Sequence, residues 1–98
     1  MKLFEPIRVL GTELRNRIVM PPMGTLLANK DGSVSDRLID YYARRGQGGA
    51  GLVIVEATGI NSEGFGIFEE IKIHDDRYIK GLASLTEKVK SFGAKIGI

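Results

Sequence analysis

Residues 46–51 read Gly46-Gln47-Gly48-Gly49-Ala50-Gly51, and residues 52–55 continue Leu52-Val53-Ile54-Val55. The first six match G-x-G-x-x-G, the glycine fingerprint of dinucleotide-binding loops. That fingerprint needs a strand before the glycines and a helix after them, so that phosphate meets a helix N-terminus. Here the order is reversed. A helical pattern precedes Gly46, and an apolar β-branched run of strand length follows Gly51. The backbone amides at a helix C-terminus point away from such a ligand, and the dipole there repels anions. The stretch therefore reads as a helix stop at Gly46 and a tight helix-to-strand loop. The order of its parts argues against a Rossmann domain.

The helix ahead of the glycines starts at Ser35, a good N-cap, with Asp36 placing negative charge in the first turn. It is predicted over 36–45, with Leu38, Ile39, Tyr42 and the stem of Arg45 on its inner stripe. The run Leu52–Val55 has the continuous apolar character of a parallel strand buried on both faces. A second helix is predicted over 77–92, capped by Asp75 or Asp76, because Tyr78, Leu82, Leu85, Val89 and Phe92 recur on one helical face. Gly93 ends it, and Lys95–Ile98 opens another strand. Upstream, residues 6–10 and 13–20 read as a hairpin turning at Gly11-Thr12 and leading into a buried strand, Ile18-Val19-Met20, which Pro21-Pro22 terminates. Asp31-Gly32 marks a turn in the loop 23–34, and the glycine-punctuated loop 58–74 is long enough to serve as a lid. A hairpin, then strand–helix–strand–helix–strand, is an α/β pattern of parallel βαβ units.

At 98 residues the chain makes one small domain, and 43% apolar with 27% charged residues is an ordinary soluble globular composition. The net charge is +2 and the tightest basic cluster is Arg44-Arg45, too small a footprint for nucleic acid. The chain has no cysteine, which excludes disulfides, thiolate metal sites and cysteine nucleophiles. No apolar run reaches the ~20 residues of a membrane span. The opening MKLFEPIRV places charge and proline where a secretory leader needs an apolar core, so the default expectation is a cytoplasmic protein.

In α/β proteins ligands gather at the carboxyl ends of the strands. Two segments fall there: Pro21-Pro22-Met23-Gly24-Thr25, and Glu56-Ala57-Thr58. Both combine exposed backbone with small side chains, a surface suited to a flat heteroaromatic ring. Strand termination and a simple corner are the competing structural readings.

Leu3–Ile7, Leu14–Met23, Asp36–Tyr42, Gly49–Thr58 and Gly93–Ile98 together resemble the opening of the Old Yellow Enzyme family. These are FMN-dependent NAD(P)H:flavin oxidoreductases and ene-reductases. The resemblance runs in order along essentially the whole chain, and PPMGT with VEAT is most similar to the 2-enoate and 2,4-dienoyl-CoA reductase branch. It implies that residues 1–98 are the N-terminal portion of a TIM (β/α)8 barrel, with residues 1–17 as the hairpin closing its bottom. Such barrels have eight strands and typically ~250 residues; three barrel strands are expected here.

The resemblance also implies that Pro21, Pro22, Met23 and Gly24 lie against the FMN ring near N5 and O4, and that Ala57 makes another backbone contact. Many relatives carry Cys, Thr or His where Gly24 stands, and that side chain tunes the flavin's reduction potential. Gly24 has none, and Thr25 is the nearest substitute. The family's Gln-Leu-x-His segment, paired His/Asn substrate anchors, proton-donating Tyr and phosphate-binding Arg all belong beyond Ile98. The expectation is an N-terminal fragment that is inactive alone and holds no catalytic residue. By resemblance, NAD(P)H reduces FMN, which passes hydride to an α,β-unsaturated carbonyl substrate. An iron–sulfur cluster and FAD would belong only to a longer parent chain.

Other residues have quieter readings. His74 is expected on a surface loop rather than as a base. Glu56 is expected to orient a loop or an arginine, and Arg17 to sit in a structural ion pair. Glu69-Glu70 near Asp75-Asp76 reads as a solvated acidic stretch, not a metal site. Tyr41 and Tyr42 are expected to pack, one hydroxyl at the surface. Phe65 and Phe68 are expected to be exposed, contacting substrate, a partner or the rest of the barrel. The alternative to a flavoenzyme piece is a non-catalytic βαβ module. Its open strand edges and uncovered face would drive it to a homo-oligomer or onto a complementing chain.

Overall fold

Leu52-Val53-Ile54 forms the middle strand of a three-stranded parallel sheet in the computed structural model, which describes residues 1–63 and 70–98. In chain order the strands are β1 (Ile7–Val9), β2 (Thr12–Leu14), β3 (Val19–Met20), β4 (Leu52–Ile54), β5 (Thr58–Gly59), β6 (Ile71–Lys72) and β7 (Lys95–Gly97). The helices are α1 (Asp36–Gln47) and α2 (Ile79–Ser91). The central sheet has the order β3-β4-β7, with Val19 beside Leu52, Met20 beside Val53, and Val53 beside Ile96. Each crossover carries one helix, as parallel pairing requires.

Both helices lie on one face of this sheet. Leu38 and Tyr42 of α1 and Leu85 and Val89 of α2 are fully buried with Val53, Val55 and Ile71. Ser35 caps α1 as its sequence implied, its Oγ accepting from Leu38 N at 3.1 Å. Gly46 is not the helix stop. It lies inside the last turn, where a Cβ would sit 3.3 Å from Val89 O and 3.6 Å from Ala94 Cβ, so it is the point of close approach between α1 and α2. The stop comes later, at Gly48 and at Gly49 with φ +112°. The opposite face of the sheet is only partly covered. Leu52 and Ile54 are half-buried there and Val19, beside Leu52, is exposed, whereas Ile96, beside Val53, lies on the helix face. The expectation of burial on both faces thus holds for Val53 and Val55 but not for their alternating neighbours.

Several boundaries differ from the pattern. The hairpin turns at Leu10-Gly11, both at positive φ, which frees Thr12 to pair with Val9. Residues 76–78 form a 3-10 turn ahead of α2, with Asp75 accepting from Arg77 N at 2.9 Å. The stretch 58–74 is not structureless, because β5 and β6 pair in parallel, Thr58 beside Ile71. Two-residue strands carry too little periodicity to be read. Phe65, Phe68 and Glu69 lie outside the described residues.

One side chain ties the hairpin to both crossovers. Arg15, just after β2, donates from Nη2 to Gly46 O at 2.6 Å and to Ala50 O at 2.9 Å, from Nε to Ala50 O at 3.2 Å, and from Nη1 to Phe92 O at 2.6 Å. These carbonyls end α1 and α2 or follow them directly, where a cation also meets the negative helix pole. Two glycines make room. A Cβ on Gly93, at φ +88°, would lie 2.8 Å from Arg15 Nη1, and one on Gly51 would lie 2.6 Å from Asn16 O. Asn16 adds a bond from Nδ2 to Gly49 O at 2.7 Å. Arg17, expected in an ion pair, is exposed and forms none among the described residues; Arg15 holds the structural place instead.

Arg15→Ala is therefore expected to destabilise the chain by about 2–4 kcal/mol in urea unfolding, since three carbonyls lose a charged donor. Arg15→Lys should recover less than half of that, because an ammonium cannot span the fork.

Candidate functional site

Pro21-Pro22-Met23-Gly24 leaves β3 at its carboxyl end, where neither proline can extend the ladder. Ala57 leaves the neighbouring β4 at the same end. All five are exposed. Pro22 and Ala57 come together as walls of one cleft of about 340 Å³, whose other walls include Ile54, Val55, Glu56, Thr58 and Ile98. Pro21, Met23 and Gly24 adjoin that cleft through Pro22 without lining it. The backbone N–H groups of Met23, Gly24 and Ala57 have no acceptor among the described residues. The cleft is thus mostly apolar, with three uncommitted donors at its margin.

Beneath it lies a buried polar cluster. Glu56 is 4% exposed. Its carboxylate accepts from Tyr42 Oη at 2.8 Å, from Thr25 Oγ1 at 2.9 Å (Oε1) and 3.2 Å (Oε2), and from Thr25 N at 3.2 Å. The Glu56 N–H donates back into Tyr42 Oη at 2.9 Å. The reading of Glu56 as a loop-orienting residue matches this geometry. Thr25 cannot stand in for a side chain at Gly24, because its only hydroxyl proton is given to Glu56.

The loop's far end is held separately. Tyr78 Oη donates to Asp31 O at 2.8 Å, Lys72 N donates to Gly32 O at 2.9 Å, and Ser35 Oγ donates to Leu27 O. Donation from the Ser33 hydroxyl, then from its amide, holds the Asp31 carboxyl below its ordinary value.

The expected packing of both tyrosines holds, while the readings of His74 and Glu70 change. Tyr42 is fully buried with its hydroxyl on Glu56, and Tyr41 stacks edge-on against it at 5.1 Å while Arg45 covers the Tyr41 ring. His74 is half-buried, not on the surface; its ring lies 5.4 Å from that of Tyr78, and its Nδ1 is buried without a hydrogen-bond partner among the described residues. Glu70 is buried at 7% exposure rather than solvated. No cluster of three His, Cys, Asp or Glu side chains is placed to hold a metal among the described residues. No helix among them is long and apolar enough to cross a membrane.

The fold is part of a (β/α)8 barrel, with the cleft at the carboxyl ends of its strands. Residues 2–98 match the profile of the NADH:flavin oxidoreductase / NADH oxidase family, and the chain belongs to that family. It is 50% identical over 95 residues to an NADH oxidase of Thermoanaerobacter brockii, which covers 96% of this chain and 15% of that protein. It is 43% identical over 98 residues to an NADPH dehydrogenase of Bacillus subtilis, covering 99% of this chain and 29% of the relative. Among solved structures it superposes on the Old Yellow Enzyme from Pichia sp. AKU4542 with a TM-score of 0.90 at 32% identity, over 97% of this chain and 25% of that one. The chain spans less than a third of the length of these relatives.

Burial, and then the bond to Glu56, push the Tyr42 hydroxyl well above its ordinary pKa of 10. Its contribution to stability is present in full below pH 10 and is lost as pH rises beyond it, because only the unfolded chain can release that proton easily. Phenolate absorbance of the folded chain should show late ionisation of Tyr42, as the difference from Tyr42→Phe. Tyr42→Phe should flatten the alkaline loss of stability while costing about 1–3 kcal/mol at neutral pH, since Glu56 loses a buried partner.

Proposed function

We propose that this chain supplies part of the flavin-ring surface of an FMN-dependent NAD(P)H oxidoreductase of the ene-reductase type. The observation that carries the reading is one apolar cleft at the strand ends walled by Pro22 and Ala57, with the uncommitted Ala57 amide on its wall and those of Met23 and Gly24 on the segment that continues from Pro22. A flat, acceptor-edged heteroaromatic ring fits such a site. Apolar walls cover its faces, and backbone N–H groups satisfy the carbonyl and nitrogen atoms at its rim. Gly24 and Ala57 bring no bulk that would hold the ring away.

The residues that would hold FMN are Pro21, Pro22, Met23, Gly24 and Ala57. The bound flavin would supply hydride transfer from NAD(P)H to an electron-poor C=C bond, the substrate class being α,β-unsaturated carbonyl compounds. Within this chain the work is binding and orientation. Prolines 21 and 22 stiffen the segment against the ring, the amides fix its edge, and Val55, Ile54 and Ile98 exclude water from one side. Among the described residues in and under the cleft, the hydroxyl protons of Thr25, Tyr42 and Thr58 are all donated to Glu56. Support for the family's redox pair comes from the relatives, named for NADH and for NADPH. The half-covered sheet face, with exposed Val19 and half-buried Leu52 and Ile54, favours a second property: self-association of the 98-residue chain.

The test is an FMN titration of the isotope-labelled 98-residue chain to millimolar concentration, followed by amide NMR. Shifts confined to Met23, Gly24, Ala57 and their neighbours are expected. Shifts centred on the 46–51 glycines, or none in a well-dispersed spectrum, would refute the reading.

A further inference from the structure

We infer that Glu56 is a positioning residue: its buried carboxylate, acting through Thr25, holds residues 21–25 in the conformation that offers the Met23 and Gly24 amides to the cleft. The inference takes its ligand from the flavin reading above, but its geometry stands apart from it.

The segment has no internal anchor. Pro21 and Pro22 have no N–H, the Met23 and Gly24 amides are uncommitted, and Gly24 has no side chain to pack. Between the end of β3 and Leu27, the polar fixings among the described residues are those of Thr25. Glu56 grips that residue twice, at its amide with Oε2 and at its hydroxyl with both oxygens. A two-point grip on one residue fixes backbone and χ1 together. The same hydroxyl then accepts from Leu27 N at 3.2 Å, which straddles Leu26.

Leu26 is the telling residue. It is 54% exposed and sits at φ +61°, a left-handed conformation that a leucine adopts at a cost of roughly 1–2 kcal/mol. With so little burial to offset that strain, the flanking bonds of Thr25 and Leu27 must impose it. The choice of a carboxylate points the same way. Burying a carboxylate is expensive, and an apolar side chain of similar volume would fill the space at lower cost. What an apolar side chain cannot do is orient two donors of one loop residue. Tyr42 completes the arrangement from below: it donates to Oε1 while accepting from Glu56 N, so the carboxylate is aimed before the loop arrives.

The experiment compares the 98-residue chain with Glu56→Gln, Thr25→Val and Thr25→Ser. Amide NMR reads three quantities: exchange of the residue-25 amide, ¹⁵N order at residues 23 and 24, and FMN-induced shifts. In Glu56→Gln the amide should exchange at least about tenfold faster, the loss expected when a charge-assisted bond goes. In Glu56→Gln and Thr25→Val, order at 23–24 should drop and the FMN shifts there should vanish, while the Ala57 shift persists. Thr25→Ser, which keeps both donors, should restore wild-type behaviour. Unchanged order and shifts at 23–24 in Glu56→Gln would overturn the inference, as would loss of the Ala57 shift together with general loosening of α1 and β4. Absence of FMN shifts in the wild type would refute the flavin reading alone; the order and exchange data would still decide the grip of Glu56 on the segment.

Discussion

The Arg15 guanidinium sits where the hairpin, both helix termini and the loops into β4 and β7 converge, and its donors serve three main-chain carbonyls there. A helix leaves its last carbonyls without partners, and a helix-to-strand loop must turn before it can offer any. In this chain two such ends fall side by side because β4 and β7 are neighbours. One planar cation with a fixed fork serves both, which a lysine or a water could do only in part. The demand for space follows from the same contact. Gly93 and Gly51 are glycines because Arg15 and Asn16 lie where their Cβ atoms would be. In the stretch that mimics a nucleotide loop, Gly46 and Gly51 are thus the imprint of what packs against them, while Gly49 serves the positive φ of the helix stop.

With the amino ends of the strands clasped in this way, the carboxyl ends are left to a different chemistry. There the anchoring group is an anion, Glu56, and what it binds is a loop. The two ends of one small sheet therefore carry opposite charges in opposite duties: a cation satisfying carbonyls at the closed end, and a carboxylate satisfying an amide and hydroxyls at the open end. Between them the core is ordinary, with Leu38, Tyr42, Val53, Leu85 and Val89 filling the space under the helices.

Much of this was legible in the sequence where periodicity is long. The two helices, the parallel order and the reversed context of Gly46–Gly51 all follow from runs of ten or more residues or from their succession. The site segments were legible as positions, since Pro21-Pro22 and Glu56-Ala57 had to fall at strand ends. What could not be read were contacts between residues far apart in the chain. Arg15 reaches Phe92 across 77 positions, and Tyr42 meets Glu56 across 14. Nothing local distinguishes Arg15 from Arg17 two residues on, yet in the bend after β2 one reaches three carbonyls and the other lies in solvent. Gly46 was misread for a related reason: a glycine near a helix end signals a stop, and only the second helix shows that it is a contact.

The strands of the central sheet are laid down in the order in which they occur in the chain, β3 then β4 then β7. Each new strand therefore joins the outer edge of the one before, and none has to insert between two that are already paired. During synthesis from the N-terminus such a sheet grows by accretion, with its newest strand always at the growing edge. The contacts of the Arg15 fork follow the same chain order. Its contacts to Gly46 and Ala50 form once the first crossover has emerged, whereas the contact to Phe92 waits for the second. Closure of the fork thus requires the chain through Phe92, and with it the ends of both helices, to be in place.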